Sequence, residues 1–269
     1  MAFELPTFKT KKELFDHLVK NEEYILEEKM AEFKKADGVG FLVVTDKAVG
    51  KDQTDKSTPS SLLEKDMIEV VAIINTTNIM DSHKDVHIPG IWDKSLKENK
   101  RIKHLQEHVN KFDHIISDKE DLKAYTKTYT WKELGYDADG ETQALVFESK
   151  VRKERNQFMH EQYAKGNVDN HSVGMIYVKL VTCINDDDYG AQKEAWDKYF
   201  PMVVNQKDAE KSGYFWAVTE AKVREGSAVV DGSNFVTPTT SIKQLNVIDE
   251  QTVEESKYKQ AVKNWLSAE

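Results

Sequence analysis

Cysteine is almost absent: Cys183 is the single one in 269 residues. No disulfide framework can form within one chain, and the usage fits a reducing cytoplasm. No apolar run approaches the roughly 20 residues that a membrane-spanning helix needs. The start, Met1-Ala2-Phe3-Glu4-Leu5-Pro6, has no basic region followed by an apolar run, so no secretion signal is expected. Excess positive charge is missing too, with 38 Lys+Arg against 47 Asp+Glu and a formal net charge of −9. That balance argues against a nucleic-acid backbone or an anionic membrane as the main partner. There is no internal repeat and no low-complexity tract. These absences leave an expected soluble, intracellular chain. Its 39% hydrophobic and 10% aromatic content suffices for a real core.

Three regions are expected. Residues 1–62 read as a helical arm and linker. Phe15, Leu18, Val19, Tyr24, Ile25, Met30 and Phe33 recur at helical spacing, and Thr10 with Glu13 makes a capping box. Such an arm either lies on its own domain or docks onto a partner. Val39 to Val44 reads as a short strand, and 46–61 as an exposed loop. Residues 63–240 read as the compact domain, opened by the near-continuous apolar strand Met67 to Ile74, which predicts burial on both faces or a place in a closed barrel. A turn-rich segment ends at Pro89-Gly90, and a short helix follows over 92–100. Leu122 to Trp131 and Ala144 to Val151 alternate as a hairpin does. A helix is expected over Lys153 to Lys165, with Phe158, Met159 and Tyr163 on its apolar side and Gly166 as its left-handed stop. A strand spans Val173 to Ile184. Residues 186–212 read as an insertion, helical around Trp196 and Tyr199, and Tyr214 to Val230 returns to strand. Residues 241–269 read as a tail with a helix over 251–266. The fold class expected is α+β, a small, mostly antiparallel β-barrel surrounded by helices.

Two constellations can carry chemistry. His104-Leu105-Gln106-Glu107-His108 matches the H-x-x-E-H pattern of inverted zinc peptidases. On a helix it sets two imidazoles one turn apart, with Glu107 near a bound water. His83, Asp85 and His87 form a second metal candidate, although alternating polar residues before Pro-Gly also make a hydrogen-bonded turn. The other constellation centres on Ser172, at the mouth of a strand and close to Gly174. Acyl transfer by serine needs a base, a group that orients the base, and oxyanion donors. His108 is a candidate base. His171 is a poorer one, because neighbouring strand residues point to opposite faces. Glu225 is a candidate orienting carboxylate, with Arg224 and Lys179 serving structure or substrate. Spacing alone does not choose among these.

Taken together, the landmarks resemble the prohead (capsid maturation) proteases of tailed phages, relatives of herpesvirus assemblin. Asp81, Asp85, Val86, Pro89, Gly90 and Trp92 fill that family's D-x3-D-V-x-x-P-G-x-aromatic turn. His108, with Asp113-His114-Ile115-Ile116 beyond it, matches the catalytic histidine. Ser172-Val173-Gly174-Met175 matches S-[IV]-G-[FM], and Glu225-Gly226-Ser227-Ala228-Val229 matches E-x-S-x-V; Asn234 to Pro238 is a looser match. The likeness covers roughly residues 65–240. It departs at His171, where the family has an apolar residue, and in the long 186–212 insertion. Assemblin-type enzymes use a second histidine as third member, which brings in His114 or His171. The resemblance implies a serine endopeptidase with Ser172, His108 and Glu225 as its catalytic residues, needing no metal or organic cofactor. Its substrates would be phage scaffolding and major capsid proteins, and itself, inside an assembling prohead in the host cytoplasm. It implies no nucleic-acid or membrane partner and is compatible with a homo-oligomer.

Overall fold

Thr10 begins the ordered architecture by capping the first helix, its Oγ1 accepting from the Glu13 backbone N–H at 3.2 Å. The computed structural model describes residues 5–31, 59–99 and 101–244. Helices α1 (Lys11–Lys20) and α2 (Glu22–Ala31) replace the single amphipathic stretch expected there, with the break at Asn21. Phe15, Leu18 and Ile25 are buried in the main core, so this apolar side faces the chain's own strands. The expected 39–44 strand and 251–266 helix, and most of the 46–61 loop, lie outside the described residues.

The remaining elements are α3 (Pro59–Leu63), β1 (Met67–Thr76), β2 (Asp85–His87), α4 (Asp93–Glu98), β3 (Lys103–Gln106), β4 (Ile115–Asp118), β5 (Leu122–Thr130), β6 (Glu141–Arg152), α5 (Gln157–Ala164), β7 (His171–Ile184), α6 (Gly190–Tyr199), α7 (Gln206–Ser212), β8 (Tyr214–Ala228) and β9 (Thr239–Gln244). Asn156 starts α5, accepting from the Met159 N–H at 3.0 Å, which places the helix start later than apolar spacing predicts. Phe158 is exposed, not on the apolar side. Gly166 has φ +73°, the left-handed stop expected of it. Residues 239–244, divided by sequence between domain end and helical tail, form one strand.

The chain is α+β, but its strands form two sheets and not one closed barrel. The first sheet, ordered β5-β6-β1-β9, is antiparallel throughout. The second is ordered β2-β8-β3-β4, with β7 along the other edge of β8. There β2 and β3 run parallel to β8, while β7 and β4 run antiparallel to their neighbours. Among the described residues no ladder joins the two sheets.

They meet instead through side chains. Gly226 on β8 faces Phe147 and Ile74 of the first sheet. A Cβ there would sit 2.6 Å from Phe147 Cε2 and 2.7 Å from Ile74 Cγ2. Glycine therefore sets how closely the sheets approach. The second half of β1 is covered on both faces as expected, Ile74 joining the core with Phe147 and Ile73 joining Val146 and Trp131. The segment 186–212 carries α6 and α7. Trp196, Tyr199 and Ala209 pack there with Phe215 and Val86, covering the β2 end of the second sheet. No helix among the described residues is long and apolar enough to cross a membrane.

Candidate active site

Three adjacent strands, β7, β8 and β3, bring the candidate residues together. Ser172 pairs across the antiparallel ladder with Ser227, and Gly174 with Glu225. Side chains alternate along a strand, so Ser172, Gly174, Glu225 and Ser227 share one face. On the other side of β8, His104 pairs with Gly226, and the ladder continues one bond further from Glu107 N–H to Ala228 O, at 2.9 Å. The chain then turns sharply. Glu107 and His108 both adopt left-handed φ, +52° and +57°, a conformation that costs non-glycine residues roughly 1 kcal/mol or more each. That turn aims His108 back over β8.

His108 Nδ1 lies 2.6 Å from Glu225 Oε1. An ionised carboxylate only accepts, so Nδ1 carries the proton and Nε2 is the free basic nitrogen. Among the described residues neither His108 Nε2 nor Ser172 Oγ has a hydrogen-bond partner, and both atoms are shielded from solvent. The residues are 6% and 3% exposed, and Glu225 is 5% exposed. Buried polar atoms seldom go unpaired, and those that do need an explanation. Here an imidazole nitrogen in the turn after β3 and a hydroxyl on β7 lie on either side of β8 without being bonded to each other.

Two small residues make this arrangement possible. A Cβ at Gly174 would overlap the Glu225 carboxylate, lying 2.6 Å from its Cδ, so only glycine leaves room for that side chain to reach His108. Ser227 donates to Glu225 Oε2 at 2.5 Å and accepts from the His108 backbone N–H at 3.1 Å. Sequence reasoning held Gly174 to admit a neighbouring backbone and named Ser227 only within the E-x-S-x-V match, giving neither a role toward Glu225. Their signal was the small side chain two positions beyond each of Ser172 and Glu225, the same-face spacing of a strand.

The other sequence candidates fall elsewhere. His171 and His104 point to the opposite face, into a buried chain of hydrogen bonds. His171 Nδ1 donates to Thr237 O at 2.8 Å, which makes its Nε2 the acceptor for Tyr163 O–H at 3.0 Å. Tyr163 Oη in turn accepts from His104 Nε2 at 3.1 Å, and His104 Nδ1 accepts from Ser149 O–H at 2.8 Å. Burial lowers the His171 pKa to about 4 and holds His104 well below the ordinary imidazole value, the nearby His171 adding to the effect. Burial also raises Tyr163 well above the usual phenol range. All these groups are therefore neutral, which is what a one-directional chain requires. His114 is bound to the exposed Asp113 at 2.9 Å. Arg224 is exposed, and Lys179 pairs with Glu220 at 2.9 Å.

The H-x-x-E-H pattern does not lie on a helix. His104 is on β3, Glu107 is exposed, and both His104 nitrogens are taken, so the two imidazoles cannot converge as the zinc pattern needs. Among the described residues no group of three or more His, Cys, Asp and Glu side chains is placed to hold a metal ion. Asp81 to Asp85 is a turn that leads into β2: Asp81 Oδ1 accepts from the backbone N–H groups of His83 and Asp85, at 2.8 and 2.9 Å. Asp85 then pairs with Lys29 at 2.7 Å and accepts from Tyr177 O–H at 2.8 Å. Burial, reinforced by the charge of Asp85, raises the Asp81 pKa to about 7, and burial lowers that of His87 to about 4.

No family model, curated protein or solved structure matches the chain.

Proposed function

We propose that this chain is a serine endopeptidase of the prohead protease kind, acting through Ser172, His108 and Glu225. One observation carries the reading: His108 is held at Nδ1 by a buried carboxylate while its Nε2 and the Ser172 hydroxyl are both left unpaired. His104 and His171 have both nitrogens engaged, and buried His160, whose two nitrogens are unpaired among the described residues, has no carboxylate bonded to it; His108 combines the bound carboxylate with the open nitrogen.

On this reading Ser172 Oγ attacks the scissile carbonyl carbon as its proton passes to His108 Nε2. The tetrahedral adduct collapses, the C–N bond breaks, and Nε2–H protonates the leaving amine. Water then enters, gives a proton to Nε2 and attacks the Ser172 ester, and the returning proton frees the hydroxyl and the new carboxylic acid. Glu225 fixes the Nδ1–H tautomer and stabilises the imidazolium formed in both steps. The substrates are scaffold and capsid proteins within an assembling shell, and the chain itself. The family's β-barrel would correspond here to the two facing sheets.

A second reading has a specific observation in its favour. Ser172 is enclosed and is not hydrogen-bonded to His108, as suits a shell component that keeps the landmarks without the activity. Intact mass spectrometry of wild type and Ser172→Ala, incubated over time with and without a scaffold protein, separates the two. Fragments in wild type that vanish in Ser172→Ala establish the peptidase. No cleavage in either protein, scaffold present, overturns the peptidase reading and favours the inactive shell component.

A further inference from the structure

We propose that Ser227 is a positioning residue of this site, its hydroxyl locking the Glu225 carboxylate and the His108 backbone into one unit. The proposal rests on the peptidase reading and extends it to a fourth side chain. Among the described residues Glu225 has two partners: Oε1 faces His108 Nδ1, and Oε2 receives the Ser227 O–H at 2.5 Å. The Ser227 oxygen in turn accepts the His108 N–H at 3.1 Å. One buried hydroxyl thus touches the carboxylate and the backbone of the histidine that the carboxylate holds.

The strand itself does not need this hydroxyl, because β8 is held to β7 and β3 by backbone ladders. What needs it is the carboxylate. Without Ser227, Oε2 would be buried with no donor and Glu225 would be free to swing toward any water that enters. The His108 N–H would also lose its acceptor, in a turn whose left-handed backbone already costs energy. Ser227 faces Ser172 directly across the ladder, yet its proton is committed to Glu225, so it is not a competing nucleophile.

The test uses full-length protein carrying Ser227→Ala, Ser227→Thr and Ser227→Cys, with two readouts. The first is cleavage kinetics. Ser227→Ala should lose about 10- to 100-fold in kcat with KM within about twofold, as expected when a hydrogen bond to a charged group is removed from a site that acts in the transition state. Ser227→Thr keeps the hydroxyl and should recover most of the rate. Ser227→Cys, a near-isosteric weak donor, should fall between and stands in if the alanine variant does not fold. The second readout is the far-downfield proton resonance of His108 Nδ1–H in histidine-labelled protein. It should be lost or move upfield in Ser227→Ala and return in Ser227→Thr. Wild-type kcat and an unmoved resonance in Ser227→Ala would overturn the proposal. So would equal losses in all three variants that track melting temperature while the resonance stays in place. If wild type cleaves nothing, the peptidase reading fails, but the resonance still decides whether Ser227 holds the pair.

Discussion

Gly174 lies beneath the carboxylate of Glu225, in the space that any other residue's Cβ would fill. The glycine of the Ser172-Val173-Gly174 run therefore serves a residue 51 positions away in sequence and directly opposite in the β7–β8 ladder. Ser172→Ala would leave the Glu225–His108 pair intact. Gly174→Ala would not. We expect Gly174→Ala to destabilise the fold by about 1–3 kcal/mol through overpacking, and to abolish cleavage by displacing Glu225. Denaturant melts and cleavage assays on the same preparation check both. Wild-type stability would show that the carboxylate has somewhere else to go.

Glu225→Gln probes the pair directly. The amide keeps the shape but loses the charge, and its NH2 can turn toward Nδ1 and favour the wrong tautomer. A loss of about 10^3- to 10^4-fold in kcat is expected, with little change in melting temperature. A loss below tenfold would mean that Glu225 does not orient the base.

Acid should weaken the fold between pH 6.5 and 4. His87 and His171 have folded-state pKa values lowered to about 4, and His104 lies well below its ordinary value. Unfolding lets these imidazoles take up protons, so the stability they allow is complete above pH 6.5 and is lost as pH falls toward 4. Asp81 works the other way: its carboxyl, raised to about 7, is protonated in the fold, so its contribution is present at low pH and fades as pH rises through 7. Around pH 5 these three imidazoles, with His160 lowered by burial in the same direction, oppose one carboxyl, and the unfolded chain binds about two or more extra protons. Stability should then fall by up to roughly 2–3 kcal/mol per pH unit. Urea midpoints at pH 7, 6 and 5 measure it; a midpoint that holds or rises toward pH 5 contradicts the neutral-histidine assignment.

Lys29→Met should be costly although residue 29 is in the N-terminal helical pair. Its ammonium is 2.7 Å from the buried Asp85 carboxylate and 3.8 Å from the Trp216 ring centroid. Removing the cation leaves a buried anion with less compensation, a loss of about 3–5 kcal/mol. Lys29→Met combined with Asp85→Asn should recover part of it. Equal stabilities for the single and double variants would mean that the two charges are not coupled. The result also reports how much this pair adds to fastening the helices to the domain, beside the core contacts of Phe15, Leu18 and Ile25 and the hydrogen bonds of Tyr189 to Asp16 and Gln192 to Glu22.

Chelator treatment should leave melting temperature and any cleavage unchanged, because His104 is engaged at both nitrogens in the Ser149–Tyr163 chain. Tyr163→Phe should instead cost about 1–3 kcal/mol by leaving buried imidazole nitrogens unpaired. Loss of activity with EDTA, restored by zinc, would return the H-x-x-E-H pattern to consideration.

Local chemistry determined much of this from the sequence alone. The Thr10 cap, the left-handed Gly166, the β5–β6 hairpin and the long strands that became β7 and β8 all follow from signals that act over a few residues. So does the placing of Ser172 at the start of a strand. What the sequence could not decide was pairing across distance. Whether the apolar strands close into one barrel or face each other as two sheets depends on ladder partners far apart in the chain and on the close approach at Gly226. Which histidine meets Glu225 is a matter of register. β3 beside β8 sends His104 inward to Tyr163, and the left-handed turn after it sends His108 outward to the carboxylate. The H-x-x-E-H spacing assumes a helix; here β3 ends at Gln106, and the left-handed turn at Glu107 and His108 parts the two imidazoles. The fastening of Lys29 to Asp85 and of Ser227 to both Glu225 and His108 arises only when the segments are folded together. Periodicity records which face a residue takes, and only the tertiary fold decides what stands opposite.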